Sequence, residues 1–406
     1  MKTLTKTPII MKLFLTLILS LVGLSSIAQT FSPQNSGVTS QLNGIDFSSP
    51  SVGMVVGNSG VIRKTTDAGL TWTASASGTT YDLAGIAFLS GSTYIAVGKS
   101  GTIIKTTNGG GSWSLVNSGT SNDLTGIFIN GLNVYVTGTN GIVLISTNSG
   151  NAWTTVNTGS SFKLNKVFFV SEFIGYAVGD GGTILKTING GQAWNFQNSG
   201  TNTHSLTDIY FTDGNTGIVT GGITASNEAI ILRTTNAGSI WTSNTFSSAV
   251  LNGLGFYPDN SLGFAVGGSY TGNTGIIMKT TGQGASWSPI ASVSSRQLAA
   301  CFPGNGIGYT CGLNGTILRL ASNTAELDES ESDLGVQISP NPGNGLFRIS
   351  AELSCDFSIE VLSPNGQCVA FIENGNLIDL TSSPKGVYIA VIRSGSSVVT
   401  RKLVKE

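Results

Sequence analysis

The sequence predicts an all-β protein, a seven-bladed β-propeller followed by a small β-sandwich domain. A unit of about 41 residues recurs between Leu42 and Leu320, and such a period with four short strands per repeat is typical of propeller blades. Gly accounts for 55 of the 406 residues and charged residues for only 10%, which is typical of a turn-rich β-sheet protein. After Ala321 the repeats end, and an acidic stretch precedes a second strand-rich segment.

Each unit contains three successive motifs, L-x-x-I-x-F, then G-x-x-V-G-x-x-G-x-I-x-K-T-T, then N/D-x-G-x-x-W. In the fourth unit they predict an inner strand at 164–169, a second at 175–179, a third at 183–187, and an outer strand opened by Trp194. The strands do not alternate between polar and apolar residues, as expected for a sheet that packs on both faces. The tryptophans occupy one place in the unit: Trp72, Trp113, Trp153, Trp194, Trp241 and Trp287.

A seventh unit starts at Leu298 and stops at Leu320, before its tryptophan and its outer strand. Residues 31–37 align with residues 113–119, with Phe31 in the place of tryptophan. We therefore expect the N-terminal strand to complete the last blade and to cover the edge of its sheet. The predicted propeller spans residues 29–322.

The N-terminal residues 1–28 have the pattern of a secretory signal peptide. Basic residues precede an apolar stretch at 13–24, and Ser26-Ile27-Ala28 provides a small-residue cleavage site. The apolar stretch is short for a membrane anchor, so we expect an exported mature chain without a transmembrane segment. Beyond the propeller, residues 323–335 include five acids and are typical of a solvated linker.

The four cysteines allow two disulfides in an exported chain. Cys301 and Cys311 fall on the first two strands of the seventh unit, where they either form a disulfide or replace buried aliphatic residues as free thiols. Cys355 and Cys368 flank a turn that would place Val361, rather than Cys355, opposite Cys368, so a bridge between these two is not expected.

Composition argues against several classes of function. A formal net charge of −1 gives no electrostatic basis for binding nucleic acid or an anionic membrane. His204 is the only histidine, which argues against a metal cluster or a nucleophilic triad. The acids of the propeller form no evident pair at the inner-strand ends, where a glycoside hydrolase would need one. We therefore predict a non-catalytic protein without a metal or other cofactor.

The turn before each tryptophan follows the pattern T-x-[ND]-x-G-x-x-W, in which an Asp or Asn side chain accepts backbone N–H groups and Gly supplies a positive φ. This pattern resembles the Asp-box, or BNR repeat, of sialidase-like propellers, and the resemblance implies a structural role at the periphery. The sialidase arginines are not matched, because the propeller has four arginines and three of them, Arg63, Arg233 and Arg319, lie on or beside third strands; the fourth is Arg296. The Asp-box positions are Asp67, Asn108, Asn148, Asn189 and Asn236, and a sixth copy at 280–287 lacks the Asp or Asn.

The longer run G-x-A-V-G-x-x-G-T-I-x-K-T-T-N-G-G-x-x-W, at 175–194, is similar to the propellers of photosystem II assembly and stability factors. The similarity covers most of residues 30–320. It implies a non-catalytic scaffold that binds a partner protein. Nothing in the sequence indicates a photosynthetic context, so we expect only the fold and a binding role to be shared.

Residues 336–406 resemble a second family. They contain Pro340-Asn341-Pro342, Ile378-Asp379-Leu380-Thr381 and Gly386-Val387-Tyr388 in that order, and they end shortly after Lys402-Leu403. The series is similar to the type A C-terminal sorting domain of type IX secretion over its full length. The resemblance implies transport across the outer membrane by the type IX machinery, removal of the domain, and release or attachment to the cell surface.

Two features are candidates for ligand binding. The loops between the second and third strands of blades five and six, at 222–228 and 268–274, are longer than in the other blades. Together with a blade connection they would bring His204, Glu228 and Tyr270 near one another, as a recognition surface or as a tolerated insertion. A near-ring of basic residues on the third strands either snorkels over apolar stems or faces an anionic partner: Lys64, Lys105, Lys186, Arg233, Lys279 and Arg319.

The sequence therefore predicts a secreted or surface-attached propeller that binds a protein or glycan partner without catalysis. The alternatives are a divergent glycoside hydrolase of sialidase-like propeller type and a structural or adhesive surface protein. Two carboxylates about 5–9 Å apart in the central cleft would favour the hydrolase.

Overall fold

The computed structural model describes residues 30–272, 274–321, 336–350, 357–363, 368–394 and 397–406. Contacts between residues separate Gln29–Ala321 from the C-terminal part of the chain, and the two units are described one after the other. The predicted signal peptide, the acidic linker and Cys355 lie outside the described residues. Within the described residues, no helix has the length and apolar character needed to cross a membrane.

The first unit consists of seven four-stranded antiparallel sheets, which confirms the seven-bladed propeller. The inner strands contact one another in a closed circle, so each blade packs on two neighbours. Blade one has β2 (Leu42–Phe47), β3 (Gly53–Gly57), β4 (Ile62–Thr65) and β5 (Thr73–Ala74); blade two has β6 (Leu83–Ser90), β7 (Thr93–Gly98), β8 (Ile103–Thr106) and β9 (Ser114–Val116); blade three has β10 (Leu124–Asn130), β11 (Asn133–Gly138), β12 (Ile142–Ser146) and β13 (Thr154–Asn157).

Blade four has β14 (Leu164–Phe169), β15 (Gly175–Gly179), β16 (Ile184–Thr187) and β17 (Asn195–Gln197); blade five has β18 (Ser205–Phe211), β19 (Gly217–Ile223), β20 (Glu228–Thr234) and β21 (Thr242–Ser247); blade six has β22 (Val250–Phe256), β23 (Gly263–Gly268), β24 (Gly275–Thr280) and β25 (Ser288–Val293). Blade seven has β26 (Gln297–Gly304), β27 (Ile307–Gly312) and β28 (Ile317–Ala321). Its fourth strand is β1 (Thr30–Gln34), which pairs antiparallel with β28, with Phe31 opposite Leu320.

The register of blade seven differs from the sequence prediction. Gln297 pairs with Gly312 as Leu42 pairs with Gly57, so the unit starts at Gln297 and Leu298 is not its leading residue. Gln297 stands where the other units have their leading leucine, and Leu298 is the residue after it. Every inner strand, this one included, carries a β-bulge near its start.

The same register decides the state of Cys301 and Cys311. Cys301 pairs with Tyr309 and Cys311 pairs with Ala299, so the two are not cross-strand neighbours. Both are free thiols, and the disulfide alternative is wrong. Cys311 is buried at a valine position of the repeat, whereas the half-buried Cys301 occupies the inner-strand position that Asp46 has in blade one.

Aromatic contacts join neighbouring blades. Tyr135 of blade three stacks on Phe169 of blade four with 3.8 Å between ring centroids, and Tyr176 stacks on Phe211 of blade five at 4.3 Å. Trp194 meets Phe169 edge-on at 6.1 Å. Such pairs contribute about 0.5–1.5 kcal/mol beyond their buried area. The phenylalanine that ends the inner strand thus lies between the tryptophan of its own blade and the tyrosine of the preceding blade.

The glycine that ends the second strand is required by a close approach of the chain. A Cβ on Gly57 would lie 2.1 Å from the carbonyl oxygen of Gln41, and one on Gly179 would lie 2.1 Å from that of Lys163. Both distances are far inside van der Waals contact. The blade-to-blade connections therefore pass directly against the second strands, on the face from which the inner strands start.

The second unit contains two antiparallel sheets, in the orders β29–β30–β33 and β32–β31–β34–β35. Phe347, Ile359, Tyr388 and Leu403 from both sheets belong to one buried core, as expected for a β-sandwich. The strands are β29 (Gln337–Ser339), β30 (Leu346–Ser350), β31 (Phe357–Leu362), β32 (Cys368–Glu373), β33 (Leu377–Asp379), β34 (Gly386–Ser394) and β35 (Ser397–Lys405).

Two local features of this unit bear on the predictions. Cys368 pairs with Leu362, because a register irregularity follows Val361, so the predicted pairing of Cys368 with Val361 is wrong. Lys405 is buried, and its ammonium donates hydrogen bonds to the carbonyl oxygens of Leu380 and Thr381 at 2.8 Å and to that of Ser383. The last strand is thereby tied to the segment that follows β33.

Candidate functional site

The Asp-box turns are held by their own side chains. Asp67 Oδ1 accepts the backbone N–H of Thr71 at 2.9 Å, and Thr65 Oγ1 accepts that of Gly69 at 2.9 Å. The hydroxyl and backbone N–H of Thr71 are the main reasons that the pKa of Asp67 is lowered. Asn108, Asn148, Asn189 and Asn236 accept the equivalent N–H at 2.9–3.0 Å, whereas the copy at 280–287 keeps only the Thr280 bond to Gly284 N.

Members of the basic ring donate hydrogen bonds to the Asp-box turn of the next blade. Lys105 Nζ donates to the Ser149 carbonyl at 2.8 Å, and Arg233 Nε donates to the Gln283 carbonyl at 3.0 Å. Lys186 Nζ donates to the Ala237 carbonyl at 2.7 Å. These three cations lock blades together, so neither snorkelling nor an anionic partner is needed to account for them. Lys64, Lys279 and Arg319 hold the equivalent strand position.

A central cavity of about 370 Å³ is lined by residues of the inner strands, including Asp46, Lys166, Asp208 and Cys301. Lys166 Nζ lies 3.8 Å from Asp208 Oδ1, and Cys301 Sγ lies 3.5 Å from Asp46 Oδ1. The sequence prediction missed these charges because each occurs in one blade only. The signal was present, since Lys166 and Asp208 stand at an inner-strand position that is Gly in other blades, as in Gly126.

The two cavity carboxylates are engaged by the backbone. Asp46 accepts the N–H of Phe47 at 2.9 Å and that of Phe88 in the next blade at 2.7 Å. Asp208 accepts the N–H of Ile209 and that of Leu254 in the next blade, both at 2.9 Å. Burial raises the pKa of both carboxyls. Each acid therefore ties the inner strands of two blades together.

The connections between blades and the loops between second and third strands lie at the same end of each sheet, and together they form what we call the loop face. On it, Asn227 of the blade-five loop reaches the blade-six loop. Its Nδ2 donates to Thr271 Oγ1 at 2.7 Å, and its Oδ1 accepts the N–H of Tyr270 at 2.7 Å. Tyr270 Oη in turn donates to Asn252 Oδ1 at 3.3 Å. The two inserted loops thus form one connected surface.

Of the three predicted ligand residues, His204 and Glu228 lie close together and Tyr270 lies beside them on the same surface. His204 Nε2 lies 3.4 Å from Glu228 Oε1, and His204 Nδ1 lies 2.7 Å from Thr201 Oγ1. His204 is buried, whereas Glu228 and Tyr270 are accessible. Tyr270 is connected to this pair through Asn227, next to Glu228 in the chain, as just described.

Arg296 belongs to the same surface, although the sequence analysis did not place it among the candidate ligand residues. Its Cζ lies 3.6 Å from the centroid of the Tyr270 ring, so the guanidinium and the phenol are in close cation–π contact. Arg296 directly precedes β26, and no repeat motif includes it. Only the juxtaposition of blade six with blade seven reveals the pair.

Comparison with known families supports both resemblances. Residues 26–126 match the family described as photosynthesis system II assembly factor YCF48. Residues 337–406 match the secretion system C-terminal sorting domain family. No match was found among curated proteins.

Solved structures share the propeller fold. A structure titled "YCF48 bound to D1 peptide" is 19% identical, with a TM-score of 0.59, and the alignment covers 73% of this chain and 97% of that one. YCF48 from Cyanidioschyzon merolae is 18% identical, with a TM-score of 0.57, covering 72% of this chain and 98% of the other. The WD40 propeller domain of Doa1 is 11% identical, with a TM-score of 0.60 and coverages of 73% and 97%. The chain thus resembles YCF48 in its propeller and the secretion system C-terminal sorting domains in residues 337–406.

Proposed function

We propose that this chain is a secreted or cell-surface binding protein, exported by the type IX machinery, which recognises a protein or glycan partner with its loop face and does no catalysis. The observation that carries the proposal is the connected surface made by the two inserted loops. Asn227 fixes the backbone of Tyr270 and the side chain of Thr271, so the loops are held in one conformation before a ligand arrives. Such preorganisation lowers the entropy cost of binding.

The C-terminal segment supports the part of the proposal that concerns export. Its match to secretion sorting domains spans residues 337–406 and so includes both sheets of the second unit. The type IX machinery is accordingly the partner that we propose for this unit.

Replacement of the inserted loops tests the binding role. In the full chain, residues 222–228 and 268–274 would each be replaced by the short Gly179-Asp180-Gly181-Gly182 loop of blade four. The matched control exchanges the equally short Gly98–Gly101 loop of blade two for the same sequence. Binding to an array of glycans and purified surface proteins should be lost in the first variant and retained in the control. Equal binding by both folded variants would remove the loop face from the account.

A glycoside hydrolase is the second candidate, because Asp46 and Asp208 line one cavity. Their backbone hydrogen bonds favour a structural role instead. Hydrolysis assays with the same glycans decide between the two. The binding proposal expects no turnover by the native chain, whereas turnover that disappears in Asp46→Asn and Asp208→Asn would replace it with the hydrolase. A purely structural or adhesive protein would bind nothing through the loop face.

A further inference from the structure

We infer that Arg296 and Tyr270 form the anchoring site for a carboxylate-bearing sugar, so that the loop face binds a polysaccharide containing uronic acid units. This inference rests on the proposed function and specifies the chemistry of its ligand. The first observation concerns the contacts of the Arg296 guanidinium.

Arg296 has a stacking partner but no acceptor within the described part of the chain. Contact with the Tyr270 ring, at 3.6 Å from Cζ to the centroid, uses a flat face of the guanidinium. The buried Nε–H has no hydrogen-bond partner among the described residues, and no ion pair involves this arginine. The terminal Nη donors are not buried and also meet no acceptor among the described residues, so stacking holds the group while these donors stay available. A carboxylate fits such a planar fork of donors with two parallel hydrogen bonds.

Three other cations of the loop face differ from Arg296, because each has a partner in the chain. Lys99 lies 2.7 Å from Asp82, Lys163 lies 3.8 Å from Asp180, and Arg63 donates a hydrogen bond to the Gly37 carbonyl at 2.9 Å. A cation without an acceptor on a surface where these have one points to a negative group supplied by the ligand. One guanidinium matches one carboxylate per binding unit rather than a dense anionic chain.

The surroundings of Arg296 favour a sugar over a peptide. Tyr270, which stacks on Arg296, is hydrogen-bonded to the uncharged amides of Asn227 and Asn252, and amides of this kind suit sugar hydroxyls. The loop backbones offer little edge to an extended peptide, since pairing continues to Ile223 with Glu228 and to Gly268 with Gly275. The exposed part of Tyr270 adds an apolar surface beside the guanidinium.

The test measures binding of the full chain to oligogalacturonate and oligoglucuronate, and to the methyl ester of each. Three variants are compared with the native chain: Arg296→Gln, Arg296→Lys and, as the matched control on the same face, Lys99→Gln. Thermal unfolding of each variant verifies that the ring is intact. A poly-glutamate peptide is the comparison ligand.

At least one of the two acids should bind, and esterification should weaken its binding about tenfold or more. Arg296→Gln should weaken binding of the acid by a similar factor and leave the ester unaffected. Arg296→Lys should fall between, and Lys99→Gln should match the native chain.

The sugar assignment is overturned if neither acid binds, if acid and ester bind alike, or if Arg296→Gln has no more effect than Lys99→Gln. Tighter Arg296-dependent binding of poly-glutamate would assign the site to acidic peptides instead. The experiment separates failure of the uronate site from failure of the proposed binding by the loop face. Loss of a neutral glycan or a protein on loop replacement, without any effect of Arg296→Gln, would keep the proposed function and remove the uronate.

Discussion

Removing both donors to the Ala237 carbonyl should destabilise the ring by more than the sum of the two single replacements. This carbonyl belongs to an Asp-box turn of blade five and accepts two hydrogen bonds from blade four, from Tyr176 Oη at 2.8 Å and Lys186 Nζ at 2.7 Å. Burial raises the pKa of Tyr176 to about 12, so its hydroxyl remains a donor at neutral pH.

The magnitude follows from what each replacement leaves behind. Tyr176→Phe or Lys186→Met alone should cost about 1 kcal/mol, because the carbonyl keeps one donor. The double variant leaves the carbonyl without either donor, so we expect about 3 kcal/mol in total and a coupling of about 1 kcal/mol. Lys186 Nζ also lies 5.4 Å from the centroid of the Tyr176 ring. Since phenylalanine keeps that ring, the cation–π contact cancels from the coupling.

Urea unfolding followed by tryptophan fluorescence is the assay, because all six tryptophans lie in the ring and none in the C-terminal unit. The control combines Tyr176→Phe with Lys105→Met, whose acceptor is the distant Ser149 carbonyl. That pair should be additive within about 0.5 kcal/mol. If the Ala237 pair is equally additive, the shared carbonyl is not a joint between blades and the reasoning fails.

Three further outcomes are expected from the buried groups. Because burial raises the pKa of Asp208, its contribution to stability is present below about pH 4 and is lost as the pH rises through the raised value. Between pH 4 and pH 7 the free energy of unfolding should therefore fall less in Asp208→Asn than in the native chain. A larger fall in the variant would contradict this. Burial also raises the pKa of the Cys301 thiol, so a maleimide at pH 7 should label the exposed Cys368 quickly and the half-buried Cys301 more slowly; equal rates would argue against this difference in burial. Lys405→Met should destabilise the C-terminal unit by about 2 kcal/mol, because the carbonyls that accept from its ammonium lose their donor. Lys402 is exposed, so calorimetry of Lys402→Met should show little change. Similar effects of the two replacements would refute the role of Lys405 as a donor.

The ring was predictable from the sequence because its main contacts repeat. A tryptophan, a strand-ending glycine and an Asp-box turn recur in nearly every unit, so an error in reading one copy is corrected by the others. The alignment of Phe31 with Trp113 placed the N-terminal strand beside the last blade on the same grounds. In the structure Phe31 pairs with Leu320 and meets Phe264 of blade six edge-on at 5.9 Å.

Features that depend on register or on contacts between blades were not predictable in this way. Leu298 was misplaced because Gln297 holds the position of the leading leucine. The two cysteines were predicted as possible partners because the register of their strands is not visible in the sequence. The acceptor of Lys105 lies 44 residues further along the chain, and that of Lys186 lies 51 residues further. No local pattern contains such a pair, so the basic ring was interpreted without its acceptors.

Residues that depart from the repeat fall into two groups, and the difference between them bears on function. Asp46, Lys166 and Asp208 are departures whose charges are matched inside the ring by backbone N–H groups or by one another. Charges matched in this way are accounted for by contacts within the ring. Arg296 is also a departure, but among the described residues only the Tyr270 ring meets it. Because its guanidinium is held by stacking and donates no hydrogen bond to the described residues, its place beside the inserted loops is better explained by a ligand than by the fold. The loop face, rather than the central cavity, is therefore where the search for a partner should begin.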